Sequence, residues 1–227
     1  RADAAVLDSL ATVATQEDRT TVCTAIQHVY TPWLRDAAEL FQQRVQAHPL
    51  AGRELDRLGE VTEGTCVLFA DGLRFDVGCK LKDMLQGKVG SLEFTHHTTA
   101  LPSVTPTAKP AVSPVADKIT GLTSGEEFRP SVANLEKDLT IDRFRKLLED
   151  DRFQVLAGAE VGDPQGRAWT EYGNLDQTGH QEGIGLARRI PELVWGLASR
   201  IESLLAAGWR EVRVVTDHGW LLVPGTL

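Results

Sequence analysis

At 227 residues and 42% apolar, the chain can bury a full core, as one large domain or one domain with a small attachment. A formal net charge of −8 argues against a generally basic nucleic-acid-binding surface, while a local basic cleft stays compatible with it. No run approaches 18 consecutive apolar residues and no charged-then-apolar signal segment opens the chain, so the expectation is a cytoplasmic protein with no membrane partner.

Residues 3–60 read as helical. "VLDSLATVATQ" sets Val6, Leu7, Leu10 and Val13 on one face, and "LRDAAELFQQRVQAH" does the same with Leu34, Ala37, Ala38, Phe41 and Val45. Pro32 is expected to break one helix or begin the next, and His28 and His48 read as surface or core-edge residues. After Gly64 the pattern changes. "TCVLFA" is a short continuous apolar run, as in a strand covered on both faces. A helix is expected over 73–86, a second strand at "SLEFTHH", and a loop rich in Pro, Ser and Thr over 101–114. A charged helix follows over 139–150, then a buried strand at "FQVLAG". The stretch 158–185 carries seven glycines and reads as a long loop, which in a compact domain is functional or disordered. Over 187–207, Ile190, Leu193, Val194, Leu197, Ile201, Leu204 and Leu205 form one apolar stripe that Gly208 ends. This helix feeds the last strand, "REVRVVT". Strands alternating with helices predict an α/β fold: a mostly parallel sheet with helices on both faces, over 61–227, preceded by a short helical segment over 1–60.

In such sheets chemistry gathers beyond the C-terminal ends of the strands. Two strands here end in Asp: "VLFADG" in Asp71 and "VRVVTDHG" in Asp217, the second followed by His218. A lone strand-end Asp is often only the cap of the next helix. Two of them, one with a His attached, converge as ligands if the strands are neighbours. The glycine-rich stretch adds Asp176 and His180, four apart and able to face one point from a single turn. Mixed Asp and His ligation suits zinc, with manganese as the alternative. In "LPSVTPTAKPAVSP", Ser103, Thr105 and Thr107 precede a helical stretch, where free N–H groups at a helix entrance suit a phosphate. A divalent metal nearby would make one of these hydroxyls a nucleophile. The three cysteines, Cys23, Cys66 and Cys79, have no metal-binding spacing and an odd count, and read as buried free thiols in a reducing cytosol.

The order strand-Asp-Gly, Thr loop before a helix, D-x-x-x-H, strand-Asp-His-Gly resembles the alkaline phosphatase superfamily, including its nucleotide pyrophosphatase/phosphodiesterase branch. The wording "VLFADGLRFDVG", "ALPSVTPTAKPAVSP" and "VVTDHGW" is similar to the PglZ domain of bacterial BREX phage-defence systems, over residues 64–227. The resemblance implies an alkaline-phosphatase-like core and two metal sites. One uses Asp71, Asp217 and His218, with Thr105 as nucleophile and bridging ligand, because the superfamily's Pro-x-x-Thr falls on "PSVT". The other uses Asp176 and His180 plus a His beyond the DHG strand. No His follows His218 in this sequence, and its first residue is Arg rather than Met, so a piece cut from a longer protein, truncated at its C-terminus and with an incomplete second site, is expected. Lys109, one turn after Thr105, is placed to meet a phosphoryl oxygen. Arg74 and Asp76 read as a structural salt bridge, and His96 and His97 as bystanders.

These implications add up to a metal-dependent phosphohydrolase of a phage-defence system. Its substrate would be a phosphate ester, with nucleotides or short oligonucleotides fitting the acidic charge better than long duplex DNA. The alternative from another class is a non-catalytic interaction module of a BREX complex that keeps the fold and a structural metal. A phosphoglycerate-mutase-like isomerase shares the superfamily but needs a cap that the sequence does not locate.

Overall fold

The computed structural model describes residues 1–48, 58–96, 99–100, 102–121, 129–133, 135 and 137–224. The part of the helical expectation over 49–57, His97, and Leu101 at the start of the hydroxyl-rich loop lie outside these.

Ala2–Thr12 forms α1 and Gln16–Ala47 forms α2, so helix stops at residue 47 among the described residues rather than running on to 60. Val6, Leu7 and Leu10 are buried, as one face of a 3.6-residue period requires, and the Tyr30 hydroxyl of α2 donates to the Asp3 carboxylate of α1. Thr15 caps α2, its Oγ1 accepting from Asp18 N at 3.1 Å. Pro32 does not break the helix as its sequence position predicts. It deprives the His28 carbonyl of its helical donor, but both residues are exposed, so the carbonyl lies where solvent can reach it, and the helix runs through. Of the second apolar face, Leu34, Ala37 and Val45 are half-buried while Ala38 is exposed and Phe41 is 63% exposed; Val29, Trp33 and Leu40, elsewhere on α2, are exposed too. His28 and His48 are also exposed.

The chain then gives Thr65–Phe69 as β1, Phe75–Leu85 as α3 and Thr105–Ala111 as α4. Three two-residue strands, Ile119–Thr120 (β2), Ser131–Val132 (β3) and Lys137–Asp138 (β4), pair antiparallel. Ile141–Asp150 is α5, capped by Thr140, whose hydroxyl accepts from Arg143 N. There follow Phe153–Leu156 (β5), Arg167–Glu171 (β6), Leu175–Glu182 (α6), Leu186–Ala206 (α7) and Glu211–Val215 (β7).

The main sheet has the order β5-β6-β1-β7, and all its pairs are parallel. Every residue of β1 is buried, so side chains pointing to opposite faces are both covered. An aromatic group fixes one side: Phe69 stacks on Trp169 at 5.8 Å, and Phe144 meets Trp169 edge-on at 5.6 Å. On α7, Ile190, Val194, Leu197, Ile201 and Leu204 form the buried stripe. The α/β expectation with a parallel sheet therefore holds.

Two expectations fail. "SLEFTHH" forms no strand over its described residues 91–96; Phe94 lies against α3 instead, beside Gly78. The stretch 158–185 is not one long loop, because "RAWTE" inserts as β6 between β5 and β1, and α6 follows. Trp and Thr flanked by Gly166 and Gly173 form a strand signal that the glycine count obscures. Of the cysteines only Cys66 is buried, its thiol pushed up to about 12 by burial and partly held back by Arg200; Cys23 and Cys79 are partly exposed.

The chain forms two compact units. One gathers α1 and α2 with residues 177–191 and the segment from Trp220, so it is not built from the N-terminus alone; within it Gln27 Nε2 donates to the Pro224 carbonyl at 2.8 Å. The other holds the parallel sheet and all the candidate site residues except His180. Among the described residues no helix is long and apolar enough to cross a membrane.

Candidate metal centre

β1 and β7 are neighbours in register, Phe69 opposite Val215, so the residues just past their C-terminal ends emerge together. The ladder continues one step, Ala70 N donating to the Val215 carbonyl at 2.9 Å, before the two chains turn away. The turns are tied to each other. Gly72 N donates to Asp217 Oδ1 at 3.2 Å, and Leu73 N to Thr216 Oγ1 at 3.0 Å. Gly72 has φ +65, and a Cβ there would stand 3.1 Å from Asp176 Cβ. Glycine is thus required on two counts, and the start of α6 lies directly against the Asp71 turn.

Asp71, Asp217 and His218 each offer one ligand atom, and these atoms lie within 4.8 Å of one another. Among the described residues this is the one such group of three or more His, Cys, Asp or Glu side chains. His218 Nε2 stands 3.4 Å from Asp71 Oδ1 and 3.6 Å from Asp217 Oδ2. Ligands about 2.0–2.2 Å from a tetrahedral cation stand about 3.3–3.6 Å from each other, so the two separations from His218 fit a shared ion. The donor set fits as well. Asp217 is 2% exposed, its Oδ1 accepts from two backbone N–H groups, and its Oδ2 is buried without a hydrogen-bond partner. A buried, unsatisfied carboxylate oxygen is costly unless a cation meets it. His218 Nδ1 is 3.1 Å from the Gly219 carbonyl, which can only accept, so Nδ1 is the donor there, and Nε2 is the nitrogen that faces the carboxylates and would bind a cation. Burial, then the charges of Asp217 and Asp176, push the Asp71 carboxyl up from 3.8 to about 6, with His218 and Lys109 opposing.

Of the three hydroxyls in the Pro-rich segment, one reaches this group. Thr105 Oγ1 lies 3.1 Å from His218 Nε2 and 3.5 Å from Asp71 Oδ1. Thr107 is buried and donates to the carbonyls of Pro102 and Val104, and Ser103 is exposed. The segment is partly helical, since Thr105 opens α4. Free N–H groups, expected there to suit a phosphate, are mostly spent: Pro106 has none, and Thr107 and Ala108 both donate to Val104 O.

Asp176 approaches from the start of α6, its Oδ1 4.0 Å from His218 Nε2. His180 lies one turn further along the same helix. Lys109 is committed elsewhere than a free rim position: its ammonium donates to Glu171 Oε2 at 2.7 Å and lies 4.9 Å from the Phe69 ring centre. Arg74 and Asp76 form the expected salt bridge, with two nitrogens on two oxygens at 2.6 and 2.7 Å.

Three contributors escape the sequence reading. Thr216 fixes the Asp71 turn, Thr99 Oγ1 donates to the Asp217 carbonyl at 3.0 Å, and Glu171 holds Lys109 while accepting from Trp169 Nε1 at 3.2 Å. Glu171 ends β6, the strand hidden in the glycine-rich stretch; Thr99 and Thr216 carry no signal because hydroxyls of this kind are common. No family model, curated protein or solved structure matches the chain.

Proposed function

We propose that this chain is the core of a metal-dependent phosphoesterase in which Thr105 is the nucleophile. The observation that supports it most is the meeting of the Thr105 hydroxyl with an Asp-Asp-His group whose buried Asp217 Oδ2 has no hydrogen-bond partner. A divalent ion, zinc or manganese, would be held by Asp71, Asp217 and His218 and would supply Lewis acidity toward a phosphoryl oxygen. The Asp71 carboxylate, which has two oxygens, is placed to accept the Thr105 proton, while His218 Nε2 would be occupied by the ion. The Thr105 oxygen then bonds to phosphorus as the ester oxygen leaves with its alcohol, and water later hydrolyses the phosphothreonine and restores the hydroxyl. Lys109, on release from Glu171, would neutralise phosphoryl charge. Asp176 and His180 belong to this reading as ligands of a second ion. The alkaline-phosphatase-like core, and the PglZ resemblance with its BREX partners, belong to the same proposal, carried by the sequence motifs.

The test is turnover of bis-p-nitrophenyl phosphate with added Zn²⁺ or Mn²⁺. Wild-type protein should cleave it, and Thr105→Ala should reduce kcat by at least about a hundredfold. Mass spectrometry of acid-quenched wild type should find a p-nitrophenyl phosphoryl group on Thr105, the part of the diester left after one p-nitrophenolate departs. Full activity in Thr105→Ala would end this assignment.

The exposed Val29, Trp33, Leu40 and Phe41 on α2 favour a second reading, an interaction module of a defence complex. Metal binding without ester turnover would select it.

A further inference from the structure

Beside the Asp71 turn the surface carries aromatic rings that the core does not use. Phe75, the first residue of α3 and four after Asp71, is 58% exposed, and Phe94 is 38% exposed. Their ring centres are 5.2 Å apart with a 52° tilt, and the His96 ring meets Phe75 edge-on at 6.3 Å. Lys82 Nζ stands 5.7 Å from the Phe94 ring centre. The arrangement is seated on the helix: a Cβ on Gly78 would stand 3.4 Å from Phe94 Cε2, so a residue larger than alanine there would push the ring away. Both segments of this patch are anchored at the metal centre. Arg74, directly before Phe75, lies with Cγ 3.3 Å from where a Gly219 Cβ would be, and Thr99, five residues after Phe94, binds the Asp217 carbonyl.

Exposed rings with an ammonium and an imidazole beside them suit a flat aromatic ligand that also carries negative charge. The neighbouring centre suits the phosphate of that ligand. We propose that Phe75, Phe94 and His96 form a stacking subsite for the base of a nucleotide whose phosphate ester sits at Asp71, Asp217 and His218. This subsite rests on the phosphoesterase reading and narrows its substrate class. Base identity is read weakly, because stacking uses the face that every base shares. Lys82 adds positive charge at the edge of the platform, against the chain's overall acidity.

Calorimetry on the full chain with Mn²⁺ tests it, using AMP, ribose 5-phosphate and adenosine as ligands. AMP should bind about tenfold or more tightly than ribose 5-phosphate, the factor expected of one stacked base. In the double variant Phe75→Ala, Phe94→Ala that ratio should collapse toward one, and Phe75→Leu, which keeps apolar bulk without a π face, should lower it as well. Circular dichroism checks that the variants fold, which the exposure of both rings favours. Equal affinity of wild type for AMP and ribose 5-phosphate, with Mn²⁺ still bound, overturns the subsite while leaving the metal centre standing. Adenosine binding in chelator that the double variant loses supports the subsite even if no ester is turned over, so the two readings fail separately. A double variant that changes oligomeric state on a sizing column and keeps the ratio assigns the rings to self-association and overturns the proposal.

Discussion

Asp217 has one carboxylate oxygen held by two backbone N–H groups and the other buried without a hydrogen-bond partner, beside an Asp71 whose carboxyl titrates near 6. In metal-free protein burial, and then repulsion from Asp217, keep the proton on Asp71 up to about pH 6, and above that both carboxylates are charged and oppose each other. Between pH 3.8 and about 6 folded Asp71 is protonated where the unfolded chain has released its proton. Folding then takes up protons, so this group's contribution to stability is full below that window and falls as pH rises through it. Asp217→Asn removes the repulsion. We predict that in chelator the variant melts about 2–4 °C above wild type at pH 7, the shift for about 1 kcal/mol in a chain of this size, with the gap closing toward pH 4. With Zn²⁺ the order reverses, because the variant has lost a ligand. Melting curves across pH with and without metal read both effects, and a variant less stable than wild type in chelator would mean that the carboxylates do not oppose each other. The meeting of Asp71, Asp217 and His218 was legible in the sequence because polar residues at the ends of apolar strands have one place to go, whereas Thr105 was singled out among three hydroxyls only by the motif resemblance. Glu171 was not legible, since its strand went unseen.

At the scale of elements, continuous apolar runs and long amphipathic stripes translate into structure directly, as with β1, β7 and α7. Short elements do not. β6 is five residues in a stretch whose glycines signal turns, and its strand character comes from lying between β5 and β1, a tertiary effect. "SLEFTHH" has the opposite fate: its β-formers pair with no strand over 91–96, and Phe94 takes a place on α3. Pro32 shows how exposure decides a propensity argument. Its cost persists within α2 even though the helix does not break, so Pro32→Ala should restore the N–H for the His28 carbonyl. We expect a gain of about 1 kcal/mol or more, below the roughly 3 kcal/mol for a fully formed helix interior, seen as a higher urea midpoint with unchanged slope. An unchanged midpoint would mean that α2 contributes little to the measured transition.

For the molecule as a whole, the parallel arrangement means that no two neighbouring strands of the four-stranded sheet are joined by a hairpin. β1 sits between β6 and β7, and Thr65 meets Glu211 across 146 residues of chain. Closing such loops costs entropy before any pairing rewards it, so the sheet is slow to complete compared with its helices. In refolding with Mn²⁺ present, metal uptake should therefore trail the recovery of helical signal, and simultaneous recovery would show that the centre forms before its sheet. The same arithmetic applies on the ribosome. Asp71 emerges about two thirds of the chain before Asp217 and His218, and through that interval the first carboxylate and the Thr105 hydroxyl exist without the ligands that complete them. A growing chain thus carries no formed centre that could scavenge a wrong cation, and loading is deferred to the moment the last strand docks.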